Sequence, residues 1–217
     1  MKKIISLVLV AVMALSLVAC GTKTPAETTA PVTEAPIETT APVTEAPETE
    51  APVETQTPVA STGALAVLEN IWNLYGEGEK FAVIGGNIEA NIMDAPGNYD
   101  MAYAENLTWN LLVPAEQLAN VDEAATMIHM MNANTFTCGV VHLTEGTDAA
   151  AFAQVMRDAI QGNQWMCGFP ETLTVAVIGG EYVLIAFGVN DAMNPFMTHF
   201  AEAFADANIL FNEAVAG

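Results

Sequence analysis

The chain has 217 residues, of which 26 are acidic and 5 are basic, so its formal net charge at pH 7 is −21. This charge excludes nucleic acid and anionic lipid surfaces as expected partners, because proteins bind both through clusters of Lys and Arg. The composition changes twice along the chain, which divides it into residues 1–19, 20–62 and 63–217.

Residues 1–19 are typical of a secretory signal peptide. Met1–Lys3 is positively charged, and the apolar run Ile4–Ala19 that follows has 16 residues, fewer than the roughly 20 that a membrane-spanning helix needs. The run ends in Leu-Val-Ala-Cys-Gly at Leu17–Gly21, which resembles the lipobox of bacterial lipoproteins. We therefore expect cleavage before Cys20 and attachment of a diacylglyceryl group to its thiol. Two or more acyl chains hold a protein stably on a bilayer, so Cys20 is expected to anchor the chain to the outer face of the cell membrane.

Residues 20–62 are predicted to be a disordered tether. Residues 21–62 contain seven Pro, twelve Thr and seven Glu but no aromatic residue, and the decapeptide at Glu27–Pro36 occurs again at Glu38–Pro47. Such a segment buries too little apolar surface to offset the entropy of ordering. Frequent Pro and like-charged Glu favour extended polyproline II, so the segment is expected to act as a spacer.

Residues 63–217 are predicted to form a single acidic domain. They contain nineteen acidic side chains against Lys80 and Arg157, which gives a formal charge of −17. An acidic surface is expected mainly to keep the domain soluble and monomeric, although it leaves a cationic partner open.

The first half of this domain has one clear element. Apolar residues recur at helical spacing over residues 63–75, which predicts an amphipathic helix. A short strand is expected at Phe81–Ile84 and a turn at Ala95–Asn98. Residues 103–112 and 115–119 are expected to form short helical pieces.

The second half predicts two strand-strand-helix units. The predicted strands cover residues 124–131, 135–143, 172–178 and 182–187, and the predicted helices cover 148–161 and 192–206. A shift of 44 residues aligns the apolar pattern of the second unit with that of the first. The expected fold is therefore α+β: an N-terminal helix, then a four-stranded antiparallel sheet with its helices on one face.

Part of the domain resembles a known group of proteins. The segment 127–204 is similar to uncharacterised domains in lipoproteins of Gram-positive gut anaerobes. The resemblance rests on Met130–Asn132 before a strand, Thr144–Asp148 before a helix, the Gly-Gly hairpin within Val175–Ile185, and the closing helix Asp191–Phe204. It implies an anchored extracellular domain and no known activity.

Two cysteines and one histidine are the candidates for chemistry. After lipidation of Cys20, Cys138 and Cys167 remain. An exported protein allows a disulfide between them, but two unpaired, mostly buried thiols are the favoured expectation, because cysteine packs as a small hydrophobic residue. If the turn between the first two strands is Ala133–Asn134, His129 lies directly opposite Cys138, and a thiol beside an imidazole is the beginning of a nucleophile or a metal site. No third group is recognisable.

No catalytic residue, metal site or cofactor is predicted. The sequence contains no calcium-binding loop, no Gly-rich loop with a phosphate-binding Lys, and no Gly-x-Ser-x-Gly or His-Glu-x-x-His motif. Met127, Met130, Met131 and Met166 are expected either to fill the core or to form an adaptable binding surface.

The favoured function is a non-catalytic interaction or binding domain displayed at the cell surface. Two alternatives stay open at this point. One is a small-ligand receptor lipoprotein accessory to transport, and the other is a cell-envelope enzyme that uses Cys138 with His129.

Overall fold

The computed structural model describes residues 63–131 and 135–216. The predicted signal peptide, Cys20 and the predicted tether lie outside the described residues. The α-helices are α1 (Ala64–Trp72), α2 (Leu107–Asn110), α3 (Ala149–Gln161) and α4 (Asn190–Ala203). The strands are β1 (Val83–Gly85), β2 (Ile92–Met93), β3 (Gly97–Tyr99), β4 (Val121–His129), β5 (Phe136–Leu143), β6 (Thr172–Ile178), β7 (Tyr182–Gly188) and β8 (Asn208–Ala214). Short 3-10 helices lie at Ile88–Ala90, Met101–Asn106 and Ala115–Asn120.

One antiparallel sheet organises the described part of the chain. Its strand order is β2-β1-β4-β5-β7-β6-β8, and β3 also pairs with β4. The predicted α+β class with an antiparallel sheet is confirmed. The sheet has eight strands rather than the four expected. Three of the additional strands, β1, β2 and β3, are two or three residues long and too short to show an alternating pattern, although β1 overlaps the short strand expected at Phe81–Ile84. The fourth, β8, is largely exposed.

The helices cover both faces of the sheet, so the expectation of helices on one face was wrong. Phe136, Cys138 and Val140 of β5 belong to the apolar core beneath α1 and α4. Val141 and Leu143 of the same strand belong to a second core beneath α3 and α2. Successive side chains of a strand point to opposite faces, and here both faces are apolar and buried.

The order of the strands explains why α3 and α4 lie on opposite faces. Strands β5 and β6 run parallel with β7 between them, and β7 and β8 run parallel with β6 between them. The two crossover connections are β5-α3-β6 and β7-α4-β8. Both advance toward the same edge of the sheet, but β5 and β6 run in the opposite direction to β7 and β8. Two crossovers of the same hand must then place their helices on opposite faces, and right-handed crossovers are strongly preferred.

Carboxylates accept hydrogen bonds from the N-terminal backbone of α1 and α3. Asp148 caps α3, where its Oδ1 accepts hydrogen bonds from the backbone N–H groups of Ala150 and Ala151 at 2.9 and 3.1 Å. At the start of α1, Oε1 of Glu123 in β4 accepts from the N–H of Ala64 at 2.8 Å. These contacts satisfy helix N–H groups that have no partner inside the helix.

Candidate functional site

An open groove lies at the end of the sheet where β4 ends and β5 begins. Its volume is about 300 Å³, at the lower end of the range of small-molecule sites. Its walls are formed by α2 and the residues directly after it, the end of β4, the start of β5, the loop after α3 and one residue of β7. The residues that line it are Trp109, Asn110, Leu112, Ile128, His129, Met131, Thr135, Phe136, Thr137, Asn163, Trp165, Cys167 and Phe187.

The aromatic walls are fixed by packing. The ring of Trp165 lies 5.5 Å from that of Phe187 in β7, centroid to centroid, and Phe187 is buried in the core beneath α3. Nδ2 of Asn110, in α2, donates to the hydroxyl of Tyr99 at 3.0 Å. The α2 turn that carries Trp109 is thereby tied to β3.

Large apolar side chains are exposed at and beside the groove. Trp109 is 83% exposed, Met166 87%, Phe169 64% and Met131 59%. Removing such side chains from water is favourable by about 25 cal/mol per Å² of apolar surface, from which the entropic and desolvation costs of association are subtracted. Exposed apolar patches of this kind mark binding surfaces more often than chance positions do.

The groove carries no formal charge at neutral pH. Its lining contains no Asp, Glu, Lys or Arg. The ring of His129 stacks on that of Phe81 at 5.3 Å, and its Nδ1 accepts a hydrogen bond from the N–H of Met131 at 2.9 Å. Desolvation by burial lowers the pKa of His129 below its ordinary 6.5, which keeps the imidazole neutral at pH 7.

The predicted opposition of His129 and Cys138 was wrong. Cys138 pairs across the strands with Met127, and Ile128 pairs with Thr137. The connection between β4 and β5 spans residues 130–135, which is longer than the two-residue turn that the prediction required. His129 therefore lies two residues out of register with Cys138.

The two cysteines are unpaired in the structure. Cys138 is buried in the core beneath α1 and α4, whereas Cys167 is exposed. Cys167 lines the groove, in the loop after α3. Burial raises the pKa of the Cys138 thiol well above its ordinary value, which disfavours the thiolate that a nucleophile requires.

The other histidines lie away from the groove. Nδ1 of His142 is 2.5 Å from Oδ1 of Asp122, and Nε2 of His199 is 3.5 Å from Oε2 of Glu79. Within the two described ranges, no group of three His, Cys, Asp or Glu side chains is placed to hold a metal ion.

A second depression, of about 480 Å³, lies between the 3-10 helix Ala115–Asn120 and the start of α3. Its polar groups bind one another: Asp148 is engaged as the helix cap, and the hydroxyls of Thr144 and Thr147 are 3.0 Å apart. Since few unpaired polar groups converge there, it is less suited to a ligand than the groove.

Sequence reasoning identified part of the groove. Met130, Met131 and Met166 are exposed, as the adaptable-surface hypothesis required, while Met127 is buried in the core. The Trp side chains were missed. A signal was available for Trp165, because it lies in a loop rich in Gly, Asn and Gln, outside any helix or strand that would bury it.

Comparison with known proteins places the chain in no family. No family model matches it, and no curated protein and no solved structure matches it at a significant level. The resemblance of segment 127–204 to lipoprotein domains stays a prediction. In the described part of the chain, no helix has the length and apolar character needed to traverse a bilayer.

Proposed function

We propose that the chain is an exported lipoprotein whose domain, residues 63–217, is a non-catalytic binding module displayed at the cell surface. Cys20 carries the lipid anchor, and residues 20–62 hold the domain away from the membrane. The observation that carries the binding role is the groove, where aromatic and Met side chains stay exposed around an uncharged lining.

Packing supports the assignment of this surface to binding. Trp109 is 83% exposed, although nearby residues of the same segment, Leu107 and Leu111, are fully buried. A Trp anchored on a rigid turn offers large contact area with little loss of side-chain entropy, and Trp is enriched at the energetic centres of interfaces.

The non-catalytic assignment rests on the candidate chemistry. Cys138 is buried with a raised pKa, and His129 lies out of register with it. The second candidate function is a small-ligand receptor, which the groove volume of about 300 Å³ favours. Both functions use the same surface.

The test is binding of fluorescently labelled residues 21–217 to intact cells of the producing bacterium. Trp109→Ala and Phe169→Ala are expected to lower the bound fraction, each by about 1–2 kcal/mol in affinity. Ile88→Ala is the matched control, because Ile88 is 78% exposed but lies in the turn between β1 and β2. Equal binding by the native chain, Trp109→Ala and Phe169→Ala would remove the groove and the exposed apolar side chains beside it from the proposal.

A further inference from the structure

We propose that the groove binds an uncharged oligosaccharide, with the indole of Trp109 as an exposed stacking platform and Trp165 as the floor. This inference rests on the proposed binding function and names its ligand class. Three features carry it: the uncharged lining, the combination of flat aromatic faces with amides and hydroxyls, and the rigidity of the walls.

The electrostatics point to a neutral ligand. The lining offers no ammonium or guanidinium group to an anionic ligand, and the domain's formal charge of −17 repels anions. A cationic ligand is attracted by the domain as a whole but finds no carboxylate in the groove. Charged ligands normally require an opposite charge at the contact, since an unpaired buried charge is costly.

The polar groups of the lining exclude a purely hydrocarbon ligand. The amide of Asn163 and the hydroxyl of Thr137 have no side-chain hydrogen-bond partner among the described residues. Covering such groups with hydrocarbon costs about 1–3 kcal/mol for each group left unsatisfied. The ligand must therefore supply hydroxyl or similar groups beside its apolar surface.

A pyranose ring has both kinds of surface. One face presents C–H bonds, which pack against a flat indole, and the rim presents hydroxyls, which donate to and accept from amides and hydroxyls. Trp109 presents its ring to solvent instead of enclosing a pocket. An apolar anchor of a protein partner would be expected to enter a closed, fully desolvated pocket.

The walls are prepared for such a ligand before it binds. Asn110 is held by Tyr99, and Trp165 is packed on Phe187. Preformed sites lose less conformational freedom on binding, which matters for sugars because each hydroxyl contact gains little net free energy.

The experiment titrates residues 21–217 with neutral oligosaccharides of up to six units, from β-1,4-glucan, α-1,4-glucan, β-1,4-xylan and β-1,4-linked N-acetylglucosamine. Tryptophan fluorescence and calorimetry report binding. At least one series is expected to bind. Trp109→Ala is expected to weaken it at least about tenfold, which corresponds to about 1.4 kcal/mol, while Trp109→Phe and the control Ile88→Ala stay within about threefold. Circular dichroism verifies that each variant is folded.

The salt dependence of the affinity distinguishes binding of a neutral ligand from electrostatic binding. Between about 50 and 500 mM NaCl, the affinity is expected to change less than about twofold, since no charges are paired. The absence of binding by every neutral series, or binding that Trp109→Ala leaves intact, overturns the inference. If an apolar dye or a peptide binds in a Trp109-dependent way while no sugar does, the ligand class fails and the proposed function stands. If no sugar, dye or peptide binds in a Trp109-dependent way, the ligand class and the proposed binding function both fail.

Discussion

The contact between Gly139 and Leu111 offers a sharp test of the packing that positions the groove. Gly139 lies in β5, and a Cβ atom built there would come within 2.3 Å of Cδ1 and 2.6 Å of Cδ2 of Leu111. Leu111 is fully buried, and in a close-packed core its methyl groups can yield only by displacing neighbouring side chains. The substitution Gly139→Ala is therefore expected to displace the segment that carries Trp109.

The magnitude follows from two opposing effects. Overpacking a buried site costs about 1–3 kcal/mol. Ala gains about 0.5–1 kcal/mol over Gly through the lower entropy of its unfolded chain. The net loss in the free energy of unfolding is about 1–2 kcal/mol, which lowers the melting temperature by about 2–8 °C in a domain of this size.

Urea unfolding followed by circular dichroism measures the effect. Gly78→Ala is the matched control, because a Cβ there meets nothing within 4 Å, and its stability is expected to be close to native. Leu111→Ala alone should cost about 2–5 kcal/mol, and the double variant with Gly139→Ala should be more stable than the sum of the two losses predicts. A native-like midpoint for Gly139→Ala, or strict additivity, would refute the reasoning.

The remaining predictions concern titration, thiols and the anchor. The hydrogen bond to Asp122, followed by weaker contributions of charge, raises the pKa of His142 above 6.5; the resulting stability is present below about pH 6.5 and is lost as the pH rises through the folded pKa. A pH titration by NMR should show a lower pKa for His142 in Asp122→Asn, and an unchanged value would contradict the contact. Native chain should react with a thiol reagent at Cys167 within minutes and at Cys138 only on unfolding, as peptide mass spectrometry can read; equal rates would contradict the burial of Cys138. Cys20→Ala should lose labelling by a fatty-acid analogue and leave the membrane fraction, and retention there would count against the lipid anchor.

Much of the second half of the fold could be predicted from the sequence. The strands β5, β6 and β7 and helix α3 begin and end within about one residue of their predicted bounds. Long segments with a regular apolar pattern and Gly at their ends contain enough residues to define a period. Strand β8 was missed, because its residues are largely exposed and no alternation distinguishes Asn208–Ala214 from a chain end.

The sequence does carry a signal for the two-sided burial of the sheet. Val183, Leu184, Ile185 and Ala186 form an uninterrupted apolar run, which is typical of a strand covered on both faces. The position of α4 could not be inferred without β8, because only the crossover from β7 to β8 sets its face.

The groove was predictable only in pieces. Trp109, Ile128, Thr137 and Trp165 come from four separate segments, and their approach depends on strand order and on the length of the connection after β4. The exposed methionines carried a local signal, since Met130 and Met131 directly precede a predicted turn. The register of His129 with Cys138 depended on a turn length that composition does not specify.

The two-sided apolar sheet has a consequence for strand alignment. In a sheet with one solvent-exposed face, a strand that shifts by one residue would expose all of its apolar side chains, so hydrophobicity alone fixes the register. Here a shift of β5 by one residue would exchange one buried face for another, so the cost of exposing apolar side chains to water largely disappears. Alignment must then depend on shape. Gly139 accommodates Leu111, and a Cβ on Gly188 would meet the carbonyl oxygen of Thr135 at 2.5 Å. The absence of a side chain at these two glycines therefore favours the observed register of the central strands over a shifted one.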